Sequence, residues 1–154
     1  MPRQPLSLTG RALRFLAARE HSRLELECKL ARHSDDAADI ARVLDALTAR
    51  GFISEQRVAE SVLHQRAPRL GAARVVQELR RKGLSDAVID DAAEQLRATE
   101  LERARAVWQK KFGEAPADPR DRARQMRFLA GRGFASDTVR RVVPRCIISS
   151  PDDG

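Results

Sequence analysis

Long apolar runs are missing from this 154-residue chain. None approaches the roughly 20 residues that a bilayer crossing needs, and the opening MPRQPLSLTG has no signal-peptide apolar stretch. No membrane is expected as a partner, and a cytosolic location is. Aromatic residues make up 4% of the chain and there is no Tyr. Trp108 and the five phenylalanines, Phe15, Phe52, Phe112, Phe128 and Phe134, mostly sit beside apolar helical positions, so they are expected in the core rather than in a stacking platform for bases.

Residues arranged for catalysis are equally scarce. Cys28 and Cys146 lie far apart and neither belongs to a CxxC pair, which leaves a disulfide or metal framework without support. His21, His33 and His64 show no HxxxH or HExxH spacing and read as surface or half-buried histidines. The carboxylate pairs Asp35/Asp36 and Asp90/Asp91 are adjacent in sequence, so on a helix they point about 100° apart and share no site; they read as solvated helix starts. No GxxxxGK[ST] loop, GxGxxG turn or GxSxG elbow occurs. No cofactor, metal or catalytic residue is expected, and the chain is not expected to be an enzyme.

What remains is rich in Ala, Leu, Arg and Glu, the residues that lose least on entering a helix, and points to an all-α fold. A chain of this length can bury roughly 70% of its unfolded surface, enough for an apolar interior.

An internal register organises that interior. Ile40, Val43, Leu44 and Leu47 occupy i, i+3, i+4, i+7 and share one helix face. Adding 49 gives Ile89, Ala92, Ala93 and Leu96; adding 50 more gives Val139, Val142, Val143 and Cys146. Leu30, Leu79 and Leu129 follow the same offsets, each trailed four residues later by Ser34, Gly83 or Gly133; glycine there can take the left-handed conformation that ends a helix. A further helix precedes each pair, over 12–19, 55–66 and 99–112, the last striped by Leu101, Ala104, Trp108 and Phe112. Three tandem three-helix repeats are therefore expected, over 1–50, 51–98 and 99–146, followed by a disordered tail at 147–154. A rival register pairs Leu47-x-x-Arg50-Gly51-Phe52 with Leu79-x-x-Lys82-Gly83-Leu84 and Leu129-x-x-Arg132-Gly133-Phe134, but its spacings of 32 and 50 suit a helix-ending signal used three times better than a repeat unit. Ser54 and Ser85 are expected N-caps, Asp118-Pro119 opens another helix, Gly113 and Ala67-Pro68 close two, 114–118 is the one evident linker, and Pro144 stops the last helix early, so that Cys146 can fall outside it.

The net charge is +7, which suits acidic protein faces or polyanions. Arg66, Arg69, Arg74, Arg80, Arg81 and Lys82 stand against the single Glu78, and Arg74 and Arg81, seven apart, form a stripe opposite Val75, Val76 and Leu79. Arg132, Arg140 and Arg141 continue the bias in the last repeat. These nine cations are the candidate partner-binding residues. Guanidinium groups suit bidentate contacts to carboxylates or phosphates, so an acidic protein groove and a nucleic-acid backbone both answer.

The segment ARGFISEQRVAESVLHQRAPRLGAARVVQELRRKGLSDAVIDDA resembles the RecX regulatory family. Its most specific part is 66–84, where Gly71, Glu78-Leu79 and Lys82-Gly83-Leu84 fall at the family's spacing; ALRFLAAREHSRLELECKL and LAGRGFASDTVRRVV are also similar, so the likeness spans about 12–143. Leu70 stands where relatives often carry an aromatic residue, and Ser34 replaces the glycine of the other two repeats. The resemblance implies an elongated, curved array of three repeats that lodges in the groove of a RecA filament on single-stranded DNA. There it would restrain ATP hydrolysis and strand exchange, in the setting of DNA repair, homologous recombination and the SOS response. A monomer with weak direct DNA binding is expected. The alternative is a helix-turn-helix-like protein that acts on DNA directly.

Overall fold

Short polar side chains open five of the helices. Ser7 Oγ accepts the Gly10 N–H at 3.0 Å and starts α1 (Leu8–Ala18), one turn before the apolar stripe alone suggests. Ser22 and Glu25 form a reciprocal capping box at the head of α2 (Arg23–Leu30), satisfying two of the N–H groups a helix start leaves without partners. Asp36 accepts from Ala38 and Asp39 to open α3 (Ala37–Ala49), and Ser54 accepts from Arg57 to open α4 (Glu55–Arg66). Then come α5 (Ala72–Arg81) and α6 (Asp86–Lys111); Ser85, just before α6, donates its hydroxyl to Glu55 at 2.8 Å. Asp118 and Pro119 start α7 (Pro119–Gly131), and α8 (Ser136–Val142) closes the series. The computed structural model describes residues 4–146, and among them these eight helices are joined by turns, with no strand.

The three Leu-x-x-x-Gly-aromatic or Gly-Leu signals end their helices in one way. The N–H groups of Phe52, Leu84 and Phe134 reach back to the carbonyls of Leu47, Leu79 and Leu129, while Gly51, Gly83 and Gly133 bond to Thr48, Arg80 and Ala130. All three glycines have positive φ, the geometry of a Schellman stop.

One expectation is corrected. The helix expected over 99–112 does not stand alone; it continues from the helix of Ile89 and Leu96 as the 26-residue α6. Arg97, Ala98, Thr99 and Glu100 include no proline or glycine, so nothing between the two apolar stripes stops the helix.

The described residues divide into two compact units, 4–61 with 78–89, and 62–77 with 90–146. In the first, Ala12, Leu26, Leu30, Ile40, Leu44, Leu47 and Ile53 form a buried cluster, with Phe15 and Val43 packed on it. In the second, Ala104, Leu129, Phe134, Val139, Val142 and Val143 do the same, with Leu101, Trp108 and Phe128 alongside. At about 25 cal/mol per Å² of apolar surface removed from water, these leucine and valine clusters are the main stabilising force of each unit.

Two further expectations change. Phe52 is 41% exposed rather than in the core, with the Arg50 guanidinium 5.4 Å from its ring. His21 is neither a surface nor a half-buried histidine but fully buried, because its ring fills the space beside Phe15 and both its nitrogens find partners. Cys146 lies beyond the end of α8. The tail expected to be disordered, 147–154, lies outside the described residues.

Candidate binding surface

Eight of the nine cations singled out in the sequence are exposed. Arg66 ends α4, Arg69 sits in the following turn, and Arg74, Arg80 and Arg81 ride on α5. Arg132 caps the end of α7, and Arg140 and Arg141 lie in the last turn of α8, where Arg140 pairs with Asp137. Bases near a helix end also interact favourably with its dipole. Lys82 differs from the rest. It is half-buried and bonded at 2.9 Å to Glu25, which also accepts from Arg19 at 2.7 Å. Burial alone would raise the Glu25 carboxyl, yet the bonds from Arg19, Lys82 and the Ser22 N–H outweigh it and hold its pKa at about 2.

Several charged and polar groups that pass for surface residues in the sequence hold turns together. Glu100, 8% exposed, accepts the N–H of Ala72 at 3.1 Å and so caps α5, which follows Leu70-Gly71 and has no serine or aspartate before it. One turn along α6, Arg103 donates to the carbonyls of Ala67, Leu70 and Leu96 at 2.9, 2.5 and 2.9 Å. Burial pushes its guanidinium below the ordinary value while Glu100 pulls it back up. The i, i+3 spacing puts both on one face of α6, a spacing visible in the sequence but indistinguishable there from a solvated ion pair. His21 Nδ1 faces the Arg19 carbonyl at 3.0 Å and Nε2 faces Lys29 Nζ at 2.8 Å, which assigns the proton to Nδ1. Burial lowers the pKa of this imidazole.

A groove of about 440 Å³ opens in the second unit. Arg69, Lys110, Lys111 and Arg132 stand around it, and none of the four has a carboxylate partner among the described residues. Its apolar lining comes from Pro68, Ala106, Val107 and Phe128. Lys111 Nζ and the Arg132 guanidinium lie 5.2 and 5.0 Å from the centre of the Phe128 ring, which meets Phe112 edge-on at 5.4 Å. The groove gathers two of the predicted cations, Arg69 and Arg132, with two that sequence reasoning missed. Lys110-Lys111 ends α6, and its proximity to Arg69 depends on how α4, α6 and α7 pack. Among the described residues no cluster of His, Cys, Asp and Glu could hold a metal ion, and no helix is long and apolar enough to cross a membrane.

The first, second and third three-helix domains of RecX match residues 10–47, 54–92 and 98–143. A regulatory protein RecX of Leptothrix cholodnii is 58% identical over 141 residues, covering 92% of this chain and 90% of that protein. One from Ralstonia nicotianae is 47% identical over 143 residues, covering 93% and 90%. These relatives are named as regulatory proteins rather than as enzymes. Among solved structures, a regulatory protein RecX superposes with a TM-score of 0.76 at 21% identity, over 88% of this chain and 70% of that one. RecX from Lactobacillus salivarius superposes at 0.74 and 19%, over 88% and 91%. At such identities the superpositions speak for the fold, and the sequence matches carry the assignment: this chain is a member of the RecX family of regulatory proteins.

Proposed function

We propose that the chain regulates the RecA recombinase by binding its filament on single-stranded DNA, and that it lowers the filament's ATP hydrolysis and strand exchange. The observation that carries this reading is the family match over all three three-helix domains. Binding one filament conformation more tightly than another shifts its population, so the chain needs no chemistry of its own. The exposed guanidinium groups of Arg74, Arg80, Arg81, Arg140 and Arg141, with Arg66, Arg69 and Arg132, supply cationic contacts to carboxylates of the recombinase. Lys82 belongs to this set by sequence, but its bond to Glu25 gives it an internal role as well.

The test is a RecA ATPase assay on single-stranded DNA with the chain added at rising ratio. Inhibition by the wild type, and its weakening when Arg74, Arg81, Arg140 and Arg141 are all changed to Glu at unchanged helicity, is the expected result. Equal inhibition by that variant would remove those arginines from the contact; no effect of the wild type would remove the recombinase. The net charge of +7 favours a second reading, direct nucleic-acid binding. It predicts steeply salt-dependent binding to bare DNA.

A further inference from the structure

Four cations stand around an apolar groove with no acid among the residues that line it, so their charge has no carboxylate to balance it there. Three of the elements that build it do so with their C-terminal ends. Lys110 and Lys111 finish α6, Arg132 caps α7, and Pro68 and Arg69 follow the end of α4. The partial negative charge of a helix C-terminus accounts for a lysine or arginine at each end taken singly. It does not account for their convergence on Ala106, Val107, Pro68 and Phe128, an apolar floor left open by about 440 Å³.

From this geometry we infer that the groove is a docking site for an acidic protein segment carrying an apolar anchor residue. Such a segment sets one aliphatic or aromatic side chain on the floor while flanking Asp or Glu carboxylates reach the four cations. The same ends argue against a phosphate ligand. Phosphate sites draw on converging backbone N–H groups at a helix N-terminus, and what α6, α7 and α4 bring to this rim is carbonyl-bearing termini. Nor is there a run of aromatic faces on which successive bases could stack; Phe128 is the one aromatic residue of the lining, and Lys111 and Arg132 already lie against its ring. Long, mobile Lys and Arg side chains suit carboxylates whose positions vary along a peptide, and the floor rewards an apolar residue that a nucleic-acid backbone lacks.

The inference goes beyond the recombinase reading and is tested without it. The purified full chain is titrated into a fluorescent synthetic peptide in which one leucine sits among aspartates and glutamates, with fluorescence anisotropy as readout. Three changes are each expected to weaken binding at least about tenfold: the peptide with its leucine replaced by serine, the Lys110→Glu and Lys111→Glu double variant, and Ala106→Trp. Ala106 is exposed, so an indole there fills the groove while leaving every charge in place. Should that variant lose helicity, Ala106→Gln serves in its stead. An oligodeoxynucleotide of equal charge is expected to bind more weakly than the peptide and to be indifferent to Ala106→Trp. The proposal is overturned by absence of saturable peptide binding to the wild type, by peptide binding that ignores the leucine or the filled groove, or by an oligonucleotide that binds more tightly and is displaced by Ala106→Trp.

Discussion

The main-chain N–H of Gly71 donates to the carbonyl oxygen of Arg132 at 2.8 Å. Backbone meets backbone here, and a Cβ on Gly71 would overlap the carbonyl of Gly133 and the nitrogen of Phe134. Arg74, one turn further along α5, lies with its Cβ and Cγ against Gly133. Fifty residues earlier the same joint occurs inside the other unit. Leu24 lies against Gly83, where a Cβ would sit 3.0 Å from Leu Cδ2, and 24 and 83 each gain 50 to become 74 and 133. The earlier joint is reinforced by Lys82 and Glu25, the later by the Gly71 bond.

Substitution of the glycines separates close approach from backbone conformation. Gly71→Ala forces a methyl group into a carbonyl that cannot move without disturbing the stop of α7, and is expected to cost about 3 kcal/mol. Gly51→Ala meets nothing within 4 Å and bears only the penalty of its φ of +80°, about 1–2 kcal/mol. Chemical denaturation of both variants checks the order. Equal losses would mean that the backbone of Gly133 and Phe134 gives way to a methyl group at Gly71.

The repeat, its stops and the caps at Ser54 and Asp118 were legible because each rests on local chemistry, whereas the hydroxyl of Ser85, expected to cap α6, turns to Glu55 instead. Gly83 and Gly133 stop helices through their own φ, and Asp118 caps through its own side chain. Phe52, expected in the core with the other phenylalanines, follows the same stop as the buried Leu84 and Phe134, and only the surrounding tertiary structure distinguishes the three. Among the cations the sequence gives sign but not employment. Lys82 and Arg81 are neighbours, yet one faces Glu25 and the other solvent. The groove was illegible for a related reason: Arg69, Lys110 and Arg132 come from three separate stretches, and no period connects them.

Acid should weaken the fold in two stages. The buried imidazole of His21 protonates below its ordinary 6.5, so the unfolded chain takes up that proton first and the stability involved is whole above about 6.5 and lost as pH falls beneath it. Folded Glu25 stays ionised to about 2 whereas an ordinary carboxyl titrates near 4.5, so its contribution is whole above 4.5 and drains away between there and 2. His21→Gln is expected to flatten the midpoint of urea unfolding across the upper window alone, and Glu25→Gln across the lower alone. A profile that keeps both slopes in the double variant would assign them to other groups.

The two side chains of α6 that hold the α4–α5 turn are expected to respond unequally to conservative change. Glu100→Gln keeps an oxygen for the Ala72 N–H and should cost about 1 kcal/mol. Arg103→Lys keeps the charge but cannot span the carbonyls of Ala67, Leu70 and Leu96 with one ammonium; a loss of about 2 kcal/mol is expected from partly buried acceptors left without donors. Thermal unfolding, at about 2–4 °C per kcal/mol for a chain of this size, resolves the two. Indifference to Arg103→Lys would show that water reaches those carbonyls.

The continuity of α6 gives the sharpest test of how the second and third repeats are joined. Ala98 is exposed and lies between Leu96 and Leu101, which belong to different apolar stripes. Were the two stripes carried on separate helices with a turn at this point, proline would be tolerated there, since a turn asks for no N–H and welcomes a fixed φ. Within an unbroken helix Ala98→Pro removes one hydrogen bond and drives its ring into the carbonyl four residues back, at a cost of about 3 kcal/mol or more, whereas Ala98→Gly loses only about 1. The expected outcome is a large gap between the proline and glycine variants in urea midpoint, with a fall in helical circular dichroism for proline alone. Near-equal midpoints would return the junction to the interrupted form that the sequence pattern suggests.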